Sequence, residues 1–319
     1  MTGPGTHRAS SRLAVELPPL GIGTAPIGNL FTEVSEQDAA ATVAAAVREG
    51  MTYFDTAPRY GHGLAEERLG RALEASGAGR PVISTKAGWL LRPAAGPGES
   101  RVDVVTDWTE RGIRESLESS LRRLRRSSVD ILYLHDPDDH PDEVRRTAYP
   151  AARRLRDEGL VKAIGFGMNH SGPLAAHVAE YEPDAVLIAG RFTLLDHEAL
   201  GTLLPLCLKT GTAVVVGGVF NTGLLADPRP DAMFNYRPVP GEALDRARRC
   251  REICAGFGVP LTAAAIRFPF LHPAVRSVVL GCRSEAEVTG NAESFRVAVP
   301  DELWERLAEA GFVPPELLA

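Results

Sequence analysis

Short apolar runs alternate with stretches of helical period along almost the whole chain, and this alternation narrows the fold more than any other feature. Strands are expected over 17–24, 52–55, 81–86, 129–134, 161–166, 185–188, 213–216 and 277–280. Helices are expected over 36–49, 64–75, 108–126, 143–157, 173–179, 198–209, 242–255, 262–270 and 285–292, with an appended helix at 303–309. Strands separated by helices cannot pair as hairpins. They pair in parallel through right-handed crossovers. Eight such units in 319 residues favour a closed (β/α)8 TIM barrel over an open doubly wound sheet. Punctuation agrees with this reading: Ser35 precedes the first helix with Asp38 three positions on, as in a capping box, and Gly50 follows its end. No Gly-, Pro- or Ser-rich linker splits the chain, so one barrel domain is expected over 1–319, with a disordered start at 1–11.

Two connections, 88–107 and 220–241, are longer than a barrel needs. Both leave the C-terminal ends of strands, where barrel enzymes build their sites, and both are candidate walls of an active site.

The formal net charge of −6 lacks the basic excess of a nucleic-acid-binding surface. The cluster Arg122, Arg123, Arg125 and Arg126 reads instead as the solvated end of a helix. Cys207, Cys250, Cys254 and Cys282 contain no CxxC pair, which fits a reducing compartment. No apolar leader opens the chain, and no run reaches the about 18 consecutive apolar residues of a membrane span. A cytoplasmic protein without a membrane partner is the expectation.

Three neighbouring strand ends carry Asp55, Lys86 and His135, and Tyr60 follows Asp55 by five residues. A free phenol titrates near 10 and is a poor acid or base at neutral pH. An adjacent ammonium lowers that value, and Asp55 supplies the counter-charge a buried Lys86 needs. His135 is placed to donate a hydrogen bond to a substrate oxygen. Together they are the parts needed to move a proton to or from that oxygen while a hydride moves at the attached carbon. The run from His135 to His140 (HDPDDH) offers metal-ligand residue types. Consecutive ligands in one loop rarely converge on one ion, and no metal site is expected.

The segments FDTAPRYGHGLAEERLG, ISTKAGW, LYLHDPDDH, GRFTLLD, VFNTGLLA and VLGCRSEAEVTGN resemble the aldo-keto reductase superfamily, and most resemble its aldose and pyridoxal dehydrogenase branch. The resemblance implies a barrel that binds NADP(H) or NAD(H) in extended form, with Tyr60, Lys86, Asp55 and His135 as the catalytic tetrad. It implies that Asn169 holds the nicotinamide carboxamide, although the usual preceding serine is Met168. Phe220, Asn221, Gly223 and Leu225 match the loop that wraps the pyrophosphate, while Gly281, Arg283 and Ser284 match the adenosine-phosphate site. Asn291 matches an adenine contact. Arg283 favours NADP(H); Glu287, where strict NADP users often carry arginine, keeps NAD(H) open. Gly217 and Ala189 depart from the aromatic and glutamine common in relatives.

Substrate candidates are Trp89 in the first long connection, Arg191 at the sixth strand end and Tyr236 in the second connection, and each could equally pack its loop. Aromatics beside donors suit a polyhydroxylated ring, a pyridoxal-like heterocycle or a bulkier metabolite. The implied partner is a small carbonyl compound or sugar, with a homo-oligomer possible in principle. The function expected is aldose oxidation to a lactone or the reverse carbonyl reduction. The alternatives are a general aldehyde and ketone reductase and a non-catalytic nucleotide-sensing subunit.

Overall fold

The computed structural model describes residues 11–77, 79–94 and 102–318. Residues 1–10, most of the start expected to be disordered, lie outside them. Eight parallel strands close a barrel: β1 (Leu20–Gly23), β2 (Tyr53–Asp55), β3 (Val82–Ala87), β4 (Val129–His135), β5 (Val161–Met168), β6 (Ala185–Ala189), β7 (Ala213–Gly217) and β8 (Val275–Gly281). Spatial order follows chain order, and β1 closes the ring by pairing with both β2 and β8. This is the (β/α)8 architecture that the alternation predicts.

The two-residue period of a strand sorts side chains between two cores. Tyr53, Ile131, Tyr133, Leu187, Val215 and Val279 belong to the small core inside the barrel. Their neighbours Phe54, Leu132, Leu134, Val186, Val214 and Val278 belong to the larger core shared with the surrounding helices. Asp55, Lys86 and His135 have the inward parity, each two residues beyond Tyr53, Ser84 and Tyr133. They therefore form the polar top layer of the barrel interior. Gly21 makes this filling possible, because a Cβ there would lie 2.6 Å from the Tyr53 ring.

Helix ends follow local chemistry. In α1 (Glu36–Arg48), Ser35 Oγ accepts from the Asp38 amide and donates to its carboxylate, while Gly50 beyond the helix takes φ 78°. The helix α2 (Leu64–Ser76) follows the Tyr60 loop, and α3 (Glu110–Leu124) is capped by Thr109. Proline accounts for two departures from the expected helices. The 143–157 stretch begins as a short helical turn, passes through a π-helical segment Val144–Ala148, and becomes regular at Tyr149–Asp157, with Pro150 in its first turn. The 198–209 stretch splits into a 3-10 turn Glu198–Leu200 and a helix Leu203–Thr210 that admits Pro205 near its start.

The long connections contain strand pairs that the sequence reading lacks: Trp89–Pro93 against Val102–Thr106, and Met233–Phe234 against Arg237–Pro238, both antiparallel. The basic cluster also differs from expectation. Arg123 turns inward, and its Nε donates at 2.6 Å to Glu66, whose side chain is fully buried and also accepts from Thr85 Oγ1. That pair ties α2 and α3 to β3 beside Lys86. Among the described residues no single helix is long and apolar enough to cross a membrane.

Candidate active site

Asp55 ends β2 with both carboxylate oxygens engaged: Oδ2 accepts from Lys86 Nζ at 2.6 Å, and Oδ1 accepts from Ser84 Oγ at 2.7 Å. Lys86 Nζ also donates to the Thr56 carbonyl at 2.8 Å. Both ionic side chains are almost wholly buried. Ser84 donates to Asp55, so its contact with Tyr53 Oη at 3.0 Å is one in which the phenol is the donor. The barrel interior therefore holds Asp55 from below. Burial works against the Lys86 ammonium, but Asp55 and Tyr60 outweigh it, and the lysine is held charged with its pKa raised.

Tyr60 reaches this pair from the loop between β2 and α2. Its ring lies beside the ammonium, with Nζ 4.6 Å from the ring centroid. Close backbone approach fixes the loop. Gly61 takes φ 60°, and a Cβ there would lie 2.3 Å from the Gly28 carbonyl oxygen. Arg68 clamps the facing segment by donating to the Ile27 and Val34 carbonyls and to Glu36 and Asn29. Burial pushes the Tyr60 phenol up to about 12. Lys86 acts in the direction the sequence reading expects but is outweighed.

His135 faces Tyr60 edge-on, ring centroids 6.0 Å apart, and its backbone carbonyl accepts from Trp89 Nε1 at 2.7 Å. Burial, with Lys86 and Arg59, pushes the imidazole well below its usual range, so it is neutral at physiological pH. Its Nδ1 is buried without a hydrogen-bond partner among the described residues.

Around the tetrad, Asn169 Nδ2 donates to Asp136 Oδ1 at 3.2 Å. Arg191 does not point freely into the mouth: it donates to the Asn169 carbonyl and to Asp196, bracing the loop after β5. Tyr236 is 58% exposed on the rim and its ring is tilted against Phe31, with centroids 6.0 Å apart. The HDPDDH run disperses, with Asp138 accepting from His170 Nδ1 and His140 paired with Glu143. Among the described residues no three His, Cys, Asp or Glu side chains could hold a metal ion.

The residues matched to cofactor binding follow the C-terminal ends of β5, β7 and β8, where polar atoms unpaired among the described residues and open backbone could receive a nucleotide. Asn221 Oδ1 is buried and unpartnered among the described residues, while its Nδ2 donates to Asn235. Asn221, Thr222 and Gly223 take φ of 47°, 61° and 98°, a strained run with open space over Gly223. Leu225 is buried beneath the loop and Phe220 half-buried beside it. On the neighbouring strand, Gly281 ends β8, and Ser284 caps the helix Glu285–Arg296, whose first amides face outward from its N-terminus. Arg283 donates through its backbone N and Nε to the Glu287 carboxylate at 2.9 and 2.8 Å. Asn291 Nδ2 donates to Cys282 Sγ at 3.3 Å.

The sequence profile of the Aldo/keto reductase family matches residues 19–311. The chain belongs to that family. This aldo/keto reductase is 42% identical over 324 residues to D-threo-aldose 1-dehydrogenase of Pseudomonas sp, covering 97% of this chain and 98% of the relative. It is 36% identical over 335 residues to pyridoxal 4-dehydrogenase of Microbacterium luteolum, covering 96% and 97%. A glycerol dehydrogenase from Gluconobacter oxydans shares the fold, with TM-score 0.77 at 23% identity over 97% of each chain. As a member, the aldo/keto reductase is a nicotinamide-dependent oxidoreductase acting on alcohol and carbonyl groups. The sequence reading had not singled out Asp136, Arg59 or Phe31 at its mouth. Asp136 and Arg59 each sit beside a tetrad residue, and that adjacency was the available signal.

Proposed function

We propose that this enzyme oxidises the anomeric carbon of an aldose to a lactone and runs the same chemistry backwards as carbonyl reduction. The observation that carries the reading is Lys86, buried between Asp55 and Tyr60, with neutral His135 facing the same phenol. The likeness to an enzyme named for aldose oxidation supports the substrate class.

The residues act as follows. His135 donates a hydrogen bond to the substrate oxygen and orients it toward Tyr60. Tyr60 Oη takes the hydroxyl proton during oxidation or returns it during reduction. Lys86 stabilises the phenolate, and Asp55 keeps Lys86 charged. Asn169, the Asn221–Leu225 loop and the start of the Glu285–Arg296 helix hold the dinucleotide, which supplies the hydride acceptor or donor when bound. For the cofactor we favour NAD(H). Glu287 engages Arg283 through Nε, and its carboxylate repels a 2′-phosphate.

Tyr60→Phe keeps the ring and removes the proton carrier. Turnover should fall about 10²–10⁴-fold while nucleotide binding, read by fluorescence quenching, persists. Near-full activity of that variant with L-fucose and with benzaldehyde would overturn the assignment.

A further inference from the structure

Asp136 is a mostly buried carboxylate immediately after His135, held at φ 48° with its amide bonded to the Gly167 carbonyl. A non-glycine residue in that conformation is uncommon, and here it sets the carboxylate beside His135 and Asn169. Its Oδ1 accepts from Asn169. Its Oδ2 lies 3.6 Å from His135 Nε2 and 3.9 Å from Arg59 Nη1, and both separations exceed a hydrogen bond. Arg59 is itself half-exposed and stacks on Trp89, with Cζ 4.5 Å from the ring centroid. A carboxylate oxygen and a guanidinium held on an indole ring thus meet beside His135 Nε2, with hydrogen-bonding capacity left over.

Resting on the oxidoreductase reading above, we propose that Asp136 and Arg59, backed by Trp89, form a subsite for the hydroxyl groups on the carbons next to the reacting one. Oδ2 accepts from the neighbouring hydroxyl, and Arg59, held against the Trp89 ring, donates to that oxygen or the next. The placement follows from geometry. Oδ2 is 3.6 Å from His135 Nε2, and the two oxygens of a vicinal diol are about one hydrogen-bond length apart, so a substrate oxygen held by His135 brings its neighbour into the range of Oδ2. A substrate without that hydroxyl leaves Oδ2 dry and unpaired, so the subsite selects polyhydroxylated aldehydes over simple ones.

Asp136→Asn and Arg59→Gln test this, with L-fucose and benzaldehyde as the two probes. Losing one charge-assisted hydrogen bond to a substrate hydroxyl should lower the ratio of kcat/KM for fucose over benzaldehyde by about 10–100-fold, chiefly through the fucose KM. An equal fall for both probes would mean that Asp136 serves only to orient Asn169, and an unchanged ratio in both variants would remove the subsite. Calorimetric titration of L-fucose into Tyr60→Phe enzyme saturated with NAD⁺ separates this from the catalytic reading, since it needs no turnover. Weaker fucose binding on adding Asp136→Asn supports the subsite even if the tetrad assignment fails, and unchanged binding refutes it. Unaltered far-ultraviolet circular dichroism confirms that each variant is folded.

Discussion

Replacing Lys86 with Met removes the charge that Asp55 was buried against while nearly preserving side-chain volume. Breaking a buried ion pair from one side costs about 3–5 kcal/mol, because the remaining charge is left uncompensated. Here the cost should fall at the lower end, about 3 kcal/mol, since Ser84 still donates to Asp55 Oδ1. Asp55→Asn leaves Lys86 with the Thr56 carbonyl and Tyr60 and should cost about 2–3 kcal/mol. The double variant buries no charge, so it should be more stable than the sum of the singles by about 2–3 kcal/mol. The folded pKa of Lys86 is raised above the unfolded value, so its contribution is fully present below the unfolded pKa and is lost only as pH rises through the folded one. The Lys86→Met penalty should therefore be the same at about pH 6 and about pH 8. Equilibrium urea unfolding, followed by circular dichroism and tryptophan fluorescence together, measures all four proteins. A Lys86→Met cost below about 1 kcal/mol, or strictly additive singles, would refute the pairing as the organising contact of the site.

With the Tyr60 phenol pushed up to about 12, aldose oxidation, which needs the phenolate, should climb with pH across the range the fold tolerates, whereas carbonyl reduction should show no alkaline limb from this group below about pH 9. A sharp loss of reduction near neutrality, abolished in Tyr60→Phe, would count against it. Glu287→Gln frees Arg283 and removes a repelling carboxylate, so NADP⁺ affinity should rise about 10-fold while NAD⁺ affinity changes little; competitive binding of the two nucleotides reads the outcome, and no gain for NADP⁺ would reverse the proposed preference.

The barrel was legible in the sequence because the signal is local: a strand's period of two and a helix's of 3.6 write themselves into residue order. Tyr60, Asp55, Lys86 and His135 were legible for the same reason, since each sits on or just past an apolar run whose end marks the barrel mouth. The long connections read as candidate walls, but their strand pairs were not legible, because Trp89–Pro93 and Val102–Thr106 pair without leaving a periodic trace in the sequence.

What the sequence could not decide was every property set by contacts between distant segments. Arg123 looked like a solvated end charge until α2 brought Glu66 beside it. An ammonium beside a phenol implied a lowered pKa, but burial outweighed it, and burial exists only once the loop from Asp55 to Leu64 folds over the mouth. Asp136 became a candidate because β4 and β5 bring it to Asn169 and the Tyr60 loop brings it Arg59. Periodicity fixes where side chains point. Distance, desolvation and charge pairing, which set their chemistry, are determined only when the barrel closes.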